Sequence, residues 1–190
     1  MNMIIDPLPE SVRVCGKNCA IRTDFRVWLM LEQLLSDDSL NQIERVSLAL
    51  NLVFIEHEYE DINEAINALI WFYRGGNPED KRLTKMAEKR PPKKIYDIDQ
   101  DAEYIFAAFM QTYKIDLTDA ELHWWQFRAL LHALPDECLF SKIMSYRATS
   151  LSQIKDKDLR ARIGQKQALY RLRDGKSEEE KIATLYDSRI

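Results

Sequence analysis

A capping residue stands before one apolar stretch after another in this chain, and that recurrence limits the fold more than any other feature. Asp24 precedes FRVWLMLEQLL, residues 25–35. Ser39 and Gln42 precede IERVSLALNLVFI, Asp61 and Glu64 lead into AINALIWFYR, and Thr118 and Glu121 open ELHWWQFRALLHALP. A short polar side chain in such a place accepts a hydrogen bond from a free N–H of the first helical turn, and an acid or amide three residues on reaches back. Asp97, Asp99 and Asp101 precede AEYIFAAFMQTY, where acidic groups favour the positive end of the helix dipole. CLFSKIMSYRATSL reads as a further helix and KDKDLRARIGQKQALYRLRDGK as a basic one with Leu159, Ile163 and Tyr170 in a stripe. Ser177 and Glu180 cap a last short helix in which Ile182, Leu185, Tyr186 and Ile190 share a face. Only five Gly and six Pro interrupt 190 residues, too few for a turn-rich β fold. The expected fold is mainly α: a helical bundle of about seven or eight helices.

Before the first helix the pattern changes to period two. Residues 11–15 and 19–23 alternate polar and apolar around Gly16-Lys17-Asn18, which reads as a short N-terminal β-hairpin. A lone hairpin is barely stable and must lie on the helices. Cys15 and Cys19 flank its turn, and their spacing is neither that of a zinc ribbon nor that of a redox motif; Cys138 is alone. An odd count of three argues against a disulfide framework. The segment about 75–96 begins Gly-Gly-Asn-Pro, is rich in charge and contains Pro-Pro, so an exposed loop is expected there. Residues 1–150 are expected to hold the hairpin and a helical core centred on the helices near 100–113 and 119–134, and 151–190 a basic helical appendage.

Charge is distributed in blocks. Residues 1–74 carry 6 basic and 12 acidic groups, and 95–150 carry 4 and 9. Residues 75–94 carry 7 and 3, and 151–190 carry 10 and 7. With a net charge of −4 and few aromatics among the basic stretches, complementarity to protein surfaces is a better expectation than nucleic acid. No apolar run approaches the ~20 residues of a membrane span, and MNMIIDPLPE lacks the basic and long apolar regions of a signal peptide. A cytosolic protein is expected.

Catalytic patterns are thin. There is no Gly-x-Ser-x-Gly elbow, phosphate-cradling Gly loop or His-Glu-x-x-His. Glu56-His57-Glu58-Tyr59-Glu60-Asp61 is dense in possible metal ligands, but an acidic loop between helices is usually just solvated. His123 and His132, about 180° apart on a helix, do not serve one ligand set. No enzymatic activity, cofactor or metal is expected. In DAELHWWQFRALLHALP (119–135), a regular helix places Trp124, Phe127, Leu130, Leu131 and Leu134 on one side and Trp125, Ala129 and Ala133 on another. That puts the two tryptophans against different layers. Arg128 and His132 lie in the narrow polar stripe left over.

The segment YDIDQDAEYIFAAFMQTYKIDLTDAELHWWQFRALLHALPDECLFSKIMSYR (96–147) resembles the core of the bacteriophage "gene product fifteen" family of tailed phages and prophages of Gram-positive bacteria. The pattern runs through an Asp-rich helix start, IFAAF, YKIDL, LHWWQF and ALLHALP to a terminal YR, and GKNCAIRTDFRVWL (16–29) is similar to the family's opening. Its signature core falls here on Phe106, Phe109, Trp124, Trp125, Phe127 and Leu131. Members typically lie in phage genomes between the major tail protein and the tape-measure protein. The resemblance therefore implies a non-virion tail assembly chaperone in the host bacterial cytoplasm, with those two proteins as partners and a homo-oligomer as a further option. The alternatives are a structural tail-completion or connector protein and, more remotely, a metal-dependent enzyme using Glu56–Asp61. Arg128, His132, Leu159, Ile163, Tyr170, Ile182, Leu185 and Tyr186 are the residues expected to meet partners.

Overall fold

The computed structural model describes residues 2–56, 59–77, 93–173 and 182–183. Among these the fold is mainly α, with seven α-helices and an N-terminal hairpin. Most of the charged segment expected as a loop (78–92) lies outside the described residues, as does nearly all of the last helix. No helix among the described residues is long and apolar enough to cross a membrane.

Strands β1 (Ser11–Val14) and β2 (Lys17–Ala20) pair antiparallel, with Val12 opposite Cys19 and Val14 opposite Lys17. The turn is Cys15-Gly16, both left-handed at φ 50° and 79°, and not Gly16–Asn18 as the sequence suggested. Two successive left-handed residues match the twist of the flanking strands, which is why short hairpins favour them. Cys15 is thus an exposed turn residue, whereas Cys19 is a buried strand residue. The Glu64 carboxylate accepts from the Cys15 N–H.

Helix α1 (Phe25–Ser36) starts on Asp24, whose carboxylate accepts from the Arg26 N–H, as expected. Helix α2 (Gln42–Val53) is capped by Asn41 and Glu44 in a reciprocal box, not by Ser39 and Gln42. Ser39 instead bonds Asp37 in the preceding turn. That turn is held by the buried Arg45 guanidinium, which donates to the carbonyls of Asp37 and Leu40 and so fixes the helix start two residues later. Helix α3 (Ile62–Tyr73) is capped by Asp61 as expected, but its Glu64 reaches Cys15 instead of closing a box.

Two compact units emerge, and residues on both sides of position 150 fall in the second. The first comprises residues 1–92, 121–129 and 176–190. In it α1 packs on α2, α2 on α3, and β1 against α3. Arg22 donates from Nη1 to the carbonyls of Asn51, Leu52 and Phe54, satisfying the end of α2.

The second unit comprises residues 93–120 and 130–175. It contains α4 (Ala102–Tyr113), α6 (Leu139–Ala148), a short 3-10 turn (Leu151–Gln153) and α7 (Lys157–Leu169). Helix α5 (Trp124–His132) gives its first six residues to the first unit and its last three to the second. Ile105, Ala108, Phe109, Leu131, Leu134, Phe140 and Ile143 form the buried apolar set of the second unit.

Asp101 does not serve the α4 dipole in the expected way. It makes no side-chain cap bond and is fully buried, with its two oxygens 2.5 and 2.9 Å from the Arg147 guanidinium. Arg147 also donates to the carbonyls of Ile95 and Tyr170, so one side chain ties the approach to α4, the end of α6 and the end of α7. Removing one partner of a buried pair strands the other charge. Arg147→Ala should therefore lower unfolding free energy by about 3–5 kcal/mol in urea denaturation, whereas truncating the exposed Lys17 of the Lys17–Glu60 pair should leave it little changed.

Candidate interaction surfaces

Residues 117–119 form a turn and His123 an isolated bridge, so the helix begins at Trp124 and not near 119. The Phe25 N–H donates to the Leu122 carbonyl and the Trp124 N–H to the Thr23 carbonyl, a bridge that ties this entry to the start of α1. The expected Thr118–Glu121 box does not open the helix, which starts at Trp124. Thr118 bonds Asp116, and α5 is capped by His123, whose Nδ1 accepts from the Trp125 N–H while Gln126 accepts from the His123 N–H. With Nδ1 an acceptor, Nε2 carries the proton and donates to the Pro9 carbonyl at 3.1 Å. The ring lies among Phe72 and Trp125, and burial pushes the His123 imidazole below its ordinary value; the Pro9 carbonyl and Glu10 oppose this.

Both tryptophans meet the same feature, the C-terminal end of α3, and not different layers. Trp124 Nε1 donates to the Tyr73 carbonyl at 2.9 Å and Trp125 Nε1 to the Phe72 carbonyl at 2.8 Å. The last carbonyls of a helix lack intrahelical partners. The backbone supplies two more bonds there: Gly75 N–H to Phe72 O and Gly76 N–H to Trp71 O, the pairing of a Schellman motif. Gly75 and Gly76 both have positive φ, 72° and 75°. Gly76 is confined twice over, because a Cβ there would lie 2.5 Å from Trp125 Cη2. Angular position around the helix does not reveal this, because both bonds go to carbonyls of another helix. In a helix that starts at 124, both indoles occupy the first turn.

Around this end the rings stack. Trp124 lies 6.0 Å from Trp28, 5.5 Å from Tyr73 and 6.0 Å from Phe127, all nearly parallel. Trp125 meets Trp71 edge-on at 5.6 Å. Arg128, expected to face a partner, is half-buried with its guanidinium 5.5 Å from the Tyr73 ring and 5.6 Å from the Trp124 ring.

The other residues singled out by the sequence divide as follows. Phe109, Trp124, Trp125, Phe127 and Leu131 are buried. Phe106 is only half-buried, because Ile105, Ala108 and Phe109 form the inward row of α4 and leave it at the edge. His132 is exposed. Leu159 is exposed and Ile163 half-buried; α7 buries none of its residues, so their stripe is not a core face. Tyr170 is half-buried between Tyr104 and Tyr146, and its carbonyl accepts from Arg147. Ile182 is buried, which removes it as an accessible contact. Leu185 and Tyr186 lie outside the described residues, as does His57 of the acidic loop. Within that loop Glu60 pairs with Lys17 and Asp61 caps α3.

A family model described as "Bacteriophage Gp15 protein" matches residues 4–172. The chain belongs to the bacteriophage Gp15 family. No curated protein and no solved structure matches it. In this Gp15-family chain the matched region includes the tryptophan pair, the Gly75-Gly76 turn and the Asp101–Arg147 pair.

Two measurements test this geometry. Gly75→Ala and Gly76→Ala both force alanine into the left-handed region, at about 1–2 kcal/mol. Only at Gly76 does the methyl group meet an indole, so Gly76→Ala should cost clearly more in urea denaturation. His123 has a lowered folded-state value, so its unfolded form takes up a proton first as pH falls. The stability it contributes is complete above the ordinary value of about 6.5 and declines below it. Unfolding midpoints from pH 7.5 to 5.5 should fall in the native chain and flatten in His123→Asn.

Proposed function

We propose that the chain is a tail assembly chaperone that binds the tape-measure and major tail proteins in the host cytoplasm and does not enter the virion. The family match over residues 4–172 carries this reading, through the place members occupy between the genes for those two proteins. The step from gene position to role is one of association. Its chemistry is reversible binding, without an enzymatic step or cofactor.

Two physical features support it. A tape-measure protein is long and helical, and amphipathic helices are held reversibly by exposed grooves and helix faces. Helix α7 offers such a face, since it is basic and no residue of it is buried. Trp124 and Trp125, by contrast, are occupied within the fold, which favours a reading in which other surfaces meet partners.

Co-expression with the tape-measure protein of the same phage or prophage is the test. The tape-measure protein should move from the insoluble to the soluble fraction and co-purify with this chain, and mass spectrometry of purified particles should find the chain missing. Stoichiometric presence in particles would instead establish the structural tail-completion or connector reading.

A further inference from the structure

The second unit contains a cleft of about 430 Å³ whose charged lining among the described residues is basic: Lys93, Lys94, Arg147 and Arg171. Two of these charges are matched from behind. Lys94 Nζ lies 2.5 Å from Asp97, and Arg147 forks onto Asp101. Neither Asp97 nor Asp101 lines the cleft. Among the described residues, Lys93 and Arg171 have no carboxylate partner, and both are exposed.

Its walls are fixed. Gln167 donates both amide hydrogens, to the carbonyls of Tyr146 and Thr149, which locks α7 onto the end of α6. Gln100 donates to the Arg171 carbonyl and accepts from the Arg173 N–H, which holds the chain leaving α7. A guanidinium has five N–H groups. Arg147 uses one on Tyr170, one on Ile95 and two on Asp101. The fifth, on Nη2, has no protein acceptor among the described residues, on a side chain only 4% exposed that lines the cleft.

We propose that this cleft docks an acidic peptide segment of a partner protein, its carboxylates held between Lys93 and Arg171 with one within reach of the spare Arg147 N–H. Charge complementarity commits it to that class. Hydrogen bonds between charged groups are the strong ones, and arginine matches carboxylate oxygens in geometry as well as charge. Nucleic acid is a poorer fit. The neighbouring aromatic, Tyr170, is taken up by Tyr104 and Tyr146 and offers no stacking face, and the whole chain carries −4. The cleft deepens the proposed binding role by naming the partner's chemistry. It is tested apart from that role, because the assay contains no tail protein.

The probe is a fluorescein-labelled hexaglutamate peptide, titrated with the full chain at 50 mM salt and read by fluorescence anisotropy. Saturable binding is expected, weakened at least tenfold by Lys93→Glu with Arg171→Glu and little changed by Lys142→Glu with Lys155→Glu, which lie outside both the cleft and α7. All four positions are exposed, and circular dichroism checks that each variant is folded. Should charge reversal disturb the fold, the milder pair Lys93→Gln with Arg171→Gln should weaken binding in the same direction. Lack of saturable binding would overturn the proposal. So would equal weakening by both pairs, which is diffuse attraction without a site, or tighter binding of a labelled thymidine hexanucleotide.

Discussion

The end of helix α3 is the point on which the first unit depends. Four donors meet there, two from the backbone at Gly75 and Gly76 and two from the indoles of Trp124 and Trp125. The Trp124 indole satisfies the Tyr73 carbonyl, and leaving a buried acceptor unpaired costs about 1–3 kcal/mol; the Trp125 indole is a second donor to the Phe72 carbonyl, which also accepts from the Gly75 N–H. The same contacts position the stacked rings of Trp28, Phe72, Tyr73, Trp124 and Phe127. Arg128 covers this stack by cation–π contact, and His123 sets where α5 begins. Polar bonding and aromatic packing here are one structure, since moving a ring removes a hydrogen bond.

The second unit solves a comparable problem with charge. Asp101 and Arg147 are both buried, and Arg147 gives two further hydrogen bonds to the carbonyls of Ile95 and Tyr170. A buried ion pair is weak evidence of stability by itself, because desolvation offsets the attraction. Its value here is positional. One fork fixes where three segments meet, and leaves Lys93 and Arg171 facing outward beside a spare donor.

Much of this was legible in the residues. Apolar periodicity placed α1, α3 and α4 almost to the residue, and Asp24 and Asp61 cap where sequence spacing put them. Caps failed where tertiary bonds competed: Ser39 yielded to Asn41 once Arg45 had fixed the preceding turn, and Thr118 yielded to His123 because residues 122–124 pair with 23–25. The roles of Trp124 and Trp125 were hidden for the same reason. Angular position on one helix says nothing about a carbonyl on another. Gly75-Gly76 was visible as a helix stop, but the contact that requires glycine at 76 comes from residue 125. The basic cleft was foreshadowed only by alternating charge blocks, with Arg147 drawn from an acidic block.

For function the consequence is a separation of labour. The tryptophan pair by which the chain resembles the Gp15 family lies in its interior, and the proposed binding falls to surfaces such as α7 and the basic cleft. Hydrogen exchange at the indole Nε1 protons, followed by NMR in the free chain, tests that most directly. Buried bonds to Phe72 and Tyr73 should let the Trp124 and Trp125 protons exchange only through global unfolding. Exchange of either at the rate of an exposed indole would contradict the interior role of the pair.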